Sequence, residues 1–469
     1  MRRVPIWSKA RHLLCVLAGA TSLWGGMISG QEQRRSDVPM TRPEECLTQL
    51  DGIGRSASYV ELPDGGILIA RGQGQFSVSR DGGMTWSEPK QARDADGNPL
   101  NGSDHNLVRL SGSGIGYVMR QRCATTDGAR SCLVFFRSDD GGNSWSRPVP
   151  ITPPSIGYGV AAMNDVLFRT ASGRLILPVY GSLEFAPNPS QPARILGTWR
   201  PNGAWIPVGA HDFDPRFTWS YVYLSDDDGR TWRPNRSGRI YVWDDQTMAW
   251  WRTNEPTAVE VEPGKLLMFM RTELGRLFQS WSFDNGETWT APKPTALAAS
   301  NAPAQLRKIP TTGDLLVVWS QASETEMRRG LGRSRLSTAV SRSNGIVWEF
   351  FQNIESVLEG VRVEPGAVRR TRPEGLTYGP LQSAVEREAE SMAVVPRNFA
   401  LTSYPSAFLH KDRLLVGNSN AQWLEDGSYI LPGRLRVVPI SWLYGGPEGM
   451  KLARKQSENL KKRFPLSEK

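Results

Sequence analysis

Asp81, Asp140, Asp227 and Asp284 each follow a serine by two residues and precede a Gly and then a Thr-Trp or Ser-Trp pair, the strongest chemical regularity in the chain. A carboxylate can serve as a general acid or base, but these surroundings suit a different use. An Asp oxygen caps backbone N–H groups of a tight turn, the Gly supplies a positive φ, the hydroxyl adds a local bond, and the Trp packs on neighbouring sheet. The four aspartates therefore read as turn formers. Metal chemistry has no foothold, since His12, His105, His211 and His410 are too scattered for a zinc motif. Gly72 to Gly74 reads as a hairpin, and neither a dinucleotide fingerprint nor a P-loop occurs, so no cofactor or metal is expected.

These turns must be carried by a repeated element. Ser79-Arg80-Asp81-Gly82-Gly83-Met84-Thr85-Trp86 recurs from Ser138 to Trp145, Ser225 to Trp232 and Ser282 to Trp289, with a worn copy from Ser341 to Trp348 in which Ser343 replaces the Asp. A second unit, a turn feeding an apolar strand, interleaves with it at Leu62 to Ala70, Leu110 to Met119, Thr170 to Val179, Glu262 to Met270, Ile309 to Trp319 and Leu409 to Gly417. The eight-residue copies start at 79, 138, 225, 282 and 341, a period of about 58 residues with one longer interval. That period fits one four-stranded blade, and six strand units predict an all-β, six-bladed β-propeller with almost no helix outside residues 1–30 and the insertions. The long interval places an insertion within Leu183 to Phe217, and a second lies between Phe351 and Asn398. The second is either a specificity loop or a surface excursion.

Composition bounds the rest. The chain of 469 residues has 39% hydrophobic and 22% charged residues, ordinary for a globular protein. Residues 1–30 read as a signal peptide, with Arg2, Arg3, Lys9 and Arg11 ahead of the apolar run Leu13 to Trp24 and small residues at Ser29 and Gly30. The run is short for a membrane span, so the expectation is a secreted or periplasmic protein with no stable span after cleavage. The formal charge of +9 owes four positive charges to that segment. Lys461, Lys462 and Arg463 end a region, 446–469, that reads as a polar, basic, solvated tail, and no nucleic-acid-binding motif accompanies it. Cys123 and Cys132 flank a turn signal, Asp127-Gly128, and are either a disulfide or buried thiols.

The Ser-x-Asp-x-Gly-x-Thr-Trp pattern resembles the Asp-box, or BNR repeat, of the sialidase (neuraminidase) superfamily, and the likeness runs from about Asp51 to Trp442 within a propeller domain of 45–445. That resemblance implies three arginines around a substrate carboxylate, a Tyr–Glu pair beneath the anomeric carbon and an Asp above the leaving group. Arg grips carboxylates bidentately and keeps its charge. The reacting carbon of such a sugar carries that same carboxylate, so a Tyr polarised by Glu avoids the repulsion an anionic nucleophile would meet.

By resemblance, Asn254-Glu255-Pro256 and, sixteen residues on, Arg271 match the stretch bearing the site Glu and the second Arg. Arg276 follows as either a second contact or a blade salt bridge. Arg55 lies where the first arginine belongs, although Arg55-Ser56-Ala57 replaces the usual Arg-Ile-Pro. For the third, Arg333 is preferred to Arg335, with Arg369 to Arg372 a lesser rival. Tyr404, in Ser403-Tyr404-Pro405-Ser406, stands at the nucleophile's place. The acid–base Asp departs from the pattern: the link Arg71 to Ser77 has no carboxylate, and Asp104 in blade two is the substitute. His105 reads as a packing residue, and Asn164-Asp165 as another candidate contributor. The expected activity is an exported exo-glycosidase hydrolysing a terminal sialic acid or related acidic sugar with retention. The alternatives are a non-catalytic propeller that binds glycan or protein, and an enzyme acting on another polysaccharide.

Overall fold

The computed structural model describes residues 42–466 apart from 126–127, 154, 184–196, 200–204, 208–216, 246–247, 329–330, 370, 372–399 and 424–428. Six antiparallel sheets form the blades of a propeller, each with its first strand innermost. The inner strands are Ser58–Glu61, Ser103–Arg109, Gly159–Ala162 continued by Phe168–Arg169, Asn254–Glu262, Ala304–Lys308 and Ala400–His410. Tyr59, Leu107, Phe168, Ala258, Leu306 and Phe408, one from each, line the central channel. The ring closes in blade six, where Thr48–Asp51 from the start of the domain pairs as the outer strand with Gly433–Pro439.

Alternation along the strands explains the packing. Each blade presents apolar residues to both neighbours, so the core is divided into six hydrophobic clusters, one between every pair of adjacent blades. Leu68, Phe76, Tyr117 and Trp145, for instance, meet between blades one and two.

The Asp-boxes hold the outer hairpins together. In the first, Asp81 Oδ1 accepts from Met84 N and Thr85 N at 3.0 and 2.9 Å, and Oδ2 from Thr85 Oγ1 at 2.6 Å. Ser79 Oγ donates to Asp81 Oδ1 and accepts from Gly83 N. The bonds from the Thr or Ser backbone N–H and hydroxyl recur at Asp140, Asp227 and Asp284. The worn copy keeps part of it, Ser343 Oγ accepting from Val347 N at 2.8 Å. The box glycines also press on the preceding blade: Gly229 has φ +86°, and a Cβ there would clash with the Phe135 ring. Asp284→Ala should therefore cost about 1 kcal/mol of stability. The expected readout is a lower denaturant midpoint at unchanged slope, with ligand affinity intact.

Cys123 and Cys132 are joined as a disulfide across the long hairpin of blade two, their Cα atoms 5.9 Å apart. Helix is sparse, as the sequence implies, but the C-terminal region expected as a solvated tail is largely helical. A short helix, Glu324–Arg328, lies within blade five, and Pro447–Arg463 is a seventeen-residue helix docked on the propeller. Its anchor is Asp314, fully buried, which accepts from Tyr444 Oη at 2.9 Å and Ser457 Oγ at 3.2 Å and pairs with Lys461 at 3.1 Å. Only Ala453 and Ser457 of that helix are buried, so its sequence shows no apolar stripe. The signal-peptide segment and most of both insertions lie outside the described residues.

Candidate functional site

Three inner strands carry a bulge in their N-terminal half. In blade two the ladder jumps from Ser103↔Arg120 to Asn106↔Val118, in blade four from Asn254↔Arg271 to Thr257↔Phe269, and in blade six from Ser403↔Ser419 to Ser406↔Gly417. The first residue of each bulge adopts a left-handed backbone: Asp104 at φ +59°, Glu255 at +39° and Tyr404 at +54°. Such a conformation costs a residue with a Cβ roughly 1–2 kcal/mol and persists where surrounding contacts over-determine it. Here the contacts are polar and converge at one mouth of the ring. Pro256 and Pro405 follow two of these residues, tolerated because an innermost strand has an unpaired edge.

Tyr404 Oη donates to Glu255 Oε1 at 3.0 Å. Arg271 Nη1 donates to Glu255 Oε2 at 2.5 Å and to Tyr404 Oη at 3.3 Å, while its Nε donates to Asn301 Oδ1 at 2.7 Å. Arg271 and Glu255 are both buried. Arg333 lies with its guanidinium 5.4 Å from the centre of the Tyr404 ring, donating to Ser403 Oγ at 3.4 Å and to the Asn301 carbonyl at 3.2 Å. Burial, and then the Glu255 charge, push the Tyr404 hydroxyl above the usual phenol range, with Arg271 and Arg333 opposing. The phenol is thus neutral at rest, beside two guanidinium groups and one carboxylate.

Asp104 is buried and forms an ion pair with Arg120 at 2.9 Å, while its Oδ2 also accepts from Ala162 N at 3.2 Å. Burial raises its carboxyl above the ordinary range despite Arg120, and the Glu255 charge adds to the rise. Burial pushes the Tyr180 hydroxyl above the usual phenol range, and the Glu255 and Asp104 charges add to the rise.

The remaining candidates divide cleanly. Arg335 is buried in a two-bond pair with Glu326, and Arg276 donates to Thr295 O and Gly366 O, so both serve blade packing. Exposed Arg369 pairs with Glu324, while Arg370 and Arg372 lie outside the described side chains. Asp165 ties blades together through Ser58 Oγ, Ala407 N and Arg307, and Asn164 accepts from His105 N. His105 Nε2 accepts from Gln73 N, which puts its proton on Nδ1 toward Tyr117 Oη; burial pushes it down to about 4, a neutral packing residue. Arg55 is exposed, donates to Leu431 O at 3.0 Å, and borders a pocket with Arg71, Ser103 and His105. Gly433 packs against the Arg55 backbone, where a Cβ would clash.

Asn301, Arg120 and Tyr180 escaped the sequence reading. Asn301 had a signal: Asn301-Ala302-Pro303 opens blade five as Asn254-Glu255-Pro256 opens blade four and Ser403-Tyr404-Pro405 blade six. Arg120 gave none, because its meaning depends on the register that sets it opposite Ser103. Among the described residues no group of three or more His, Cys, Asp or Glu side chains is arranged to hold a metal ion.

The BNR repeat-like domain family matches residues 188–415. A search of curated proteins finds no match. Similar solved structures include a protein of unknown function from Dyadobacter fermentans DSM 18053, at 18% identity and TM-score 0.49, covering 86% of this chain and 97% of that one. The Trypanosoma rangeli sialidase in complex with the inhibitor DANA is 14% identical with TM-score 0.49, over 88% of this chain. The chain spans 57% of that enzyme's length. The intramolecular trans-sialidase from Ruminococcus gnavus in complex with oseltamivir carboxylate is 14% identical with TM-score 0.48, covering 85% of this chain and 96% of that one. The Asp-boxes, the six sheets and the family match over residues 188–415 agree on a six-bladed β-propeller built from BNR-like repeats.

Proposed function

We propose that the protein is a retaining exo-glycosidase that releases a terminal sialic acid or related acidic sugar. The observation that carries this reading is the Tyr404–Glu255 hydrogen bond at 3.0 Å beside Arg271 and Arg333. A neutral phenol polarised by a carboxylate can attack an anomeric carbon that itself bears a carboxylate, and the guanidinium groups neutralise that substrate charge. Tyr404 Oη attacks, its proton passing to Glu255, while Asp104 gives a proton to the departing oxygen. Water then attacks the glycosyl-tyrosine with Asp104 as base, and Glu255 returns the proton to the phenolate. Arg55, at the same end of the ring, meets the substrate after leaving Leu431 O. The Cys123–Cys132 disulfide supports action outside the cytoplasm, the compartment that residues 1–30 suggest.

Fluorogenic sialosides and other acidic glycosides test this reading, with release by the parent protein as the expected result. The position of Arg55 and the carboxylate-free link Arg71 to Ser77 favour a second reading, a propeller that binds acidic glycan without cleaving it. Glycan binding without release from any substrate would select it.

An acid role for Asp104 has a pH signature. A general acid must carry its proton before reaction, so turnover should fall as pH rises through the raised pKa of Asp104. Arg120→Ala removes the opposing positive charge, which favours the neutral carboxyl further and should move that limb to higher pH. Asp104→Asn should abolish the limb and slow release of sugar leaving groups by about 10²–10⁴-fold, with phenolic leaving groups affected much less. The kcat/KM profile against pH for the three proteins checks this.

A further inference from the structure

Between blades three and four the chain forms a small hairpin, Val242–Asp244 against Ala249–Trp251, that sets Trp243 opposite Trp250. Large apolar side chains on a hairpin ordinarily turn toward a core. These do not: Trp250 is 53% exposed and Trp243 39%. They are held by one another, with ring centroids 4.2 Å apart and the Tyr241 ring edge-on to Trp250 at 4.7 Å. The rings continue inward from Tyr241 to Phe217 at 6.0 Å, to Trp219 at a further 6.3 Å, and to Tyr158 at 5.0 Å. Arg239 stiffens the inner part by lying over the Trp219 and Tyr158 rings.

Both ends of this aromatic shelf lead to the candidate site. The backbone passes from Trp251 through Arg252 and Thr253 to Asn254 and Glu255. The row of rings ends at Tyr158, which adjoins the strand Gly159–Ala162, whose Ala162 N–H is bonded to Asp104. The hairpin is thus joined along the chain to the strand that carries Glu255, and its row of rings reaches the strand whose Ala162 N–H is bonded to Asp104.

We propose that the Trp243–Trp250 shelf binds the neutral sugar to which the terminal acidic residue is attached. A pyranose ring has an apolar C–H face that stacks on the electron-rich face of an indole, and preordered rings lose little entropy on binding it. Asp244 and exposed Asp245 place negative charge beside the rings, which disfavours a second acidic sugar there. The preferred ligand is therefore an acidic sugar capping a neutral one. This assignment rests on the glycosidase reading for its orientation, but its test separates the two.

The experiment measures calorimetric affinity and kcat/KM for 3′-sialyllactose and for methyl α-sialoside, with the parent protein, Trp250→Ala, Trp243→Ala and Trp250→Phe. The expected result is a preference of the parent for the trisaccharide that each alanine variant reduces by about five- to tenfold, with methyl sialoside unaffected and Trp250→Phe recovering most of the loss. Equal losses on both ligands, or no change on either, would overturn the shelf. A change of oligomeric state without a change in glycan affinity would overturn it too, marking the rings as a contact between copies. A parent that prefers the trisaccharide but cleaves nothing, with the preference erased by Trp250→Ala, upholds the shelf and removes the hydrolase reading. A parent indifferent between the two ligands removes the shelf whatever its turnover.

Discussion

Tyr404→Phe is expected to lower kcat for sialoside hydrolysis by about a thousandfold or more, the scale of losing a catalytic group, while leaving affinity for the acidic sugar within a few-fold of the parent. The phenylalanine keeps the ring on which Arg333 rests and removes only the Oη that would form the bond to sugar. Glu255 still accepts from Arg271 after the change, so no buried charge is orphaned and the stability cost stays near 1 kcal/mol. Turnover lost together with affinity and stability would instead point to a scaffold role for the hydroxyl. Single-turnover kinetics beside calorimetric binding of free sialic acid separates these outcomes.

Arg271→Ala should behave in the opposite manner. Its guanidinium bonds Glu255, Tyr404 and Asn301 from a buried position, so truncation leaves the Glu255 carboxylate buried without its cation. Breaking such a pair costs about 3–5 kcal/mol of folding stability. Losing one charge-assisted clamp on the substrate carboxylate, about 1.5–3 kcal/mol, lowers affinity by roughly tenfold to a hundredfold. Arg271→Lys keeps a positive charge without the planar fork, so it should regain much of the stability and little of the affinity. Denaturant midpoints and sialic acid titrations on both variants check the split.

The repeat made the architecture legible. Each Asp-box is a local device whose Ser, Asp, Gly and Thr bond to one another within seven residues, so its sequence and its structure carry the same information. Six apolar strand units likewise became six blades, since the alternation that buries Leu68 and Leu177 is written in the residues themselves. Glu255 and Arg271 were legible as a pair because one hairpin sets Asn254 opposite Arg271. Long-range geometry was less visible. Nothing in Asp104, Glu255 or Tyr404 announces a left-handed backbone, which arises from bulges imposed by neighbouring strands. Arg55 sits at the sequence interval of a triad member, but its bond to the Leu431 carbonyl, 376 residues away, has no signature in the sequence. The C-terminal helix was hidden for a related reason: its hold on the propeller is polar, through Asp314, and leaves no apolar periodicity to read.

The most direct test of the central claim is the intact mass of the protein after incubation with 2,3-difluorosialic acid. Attack by Tyr404 Oη would form an oxygen–carbon bond at the anomeric centre and expel fluoride, and the remaining fluorine would slow hydrolysis of the adduct. The account predicts one fluorosialosyl group per chain, located by peptide mapping at Tyr404 and absent from Tyr404→Phe. Reversible binding of the fluorosugar with an unchanged protein mass, or an adduct on any other residue, would contradict it.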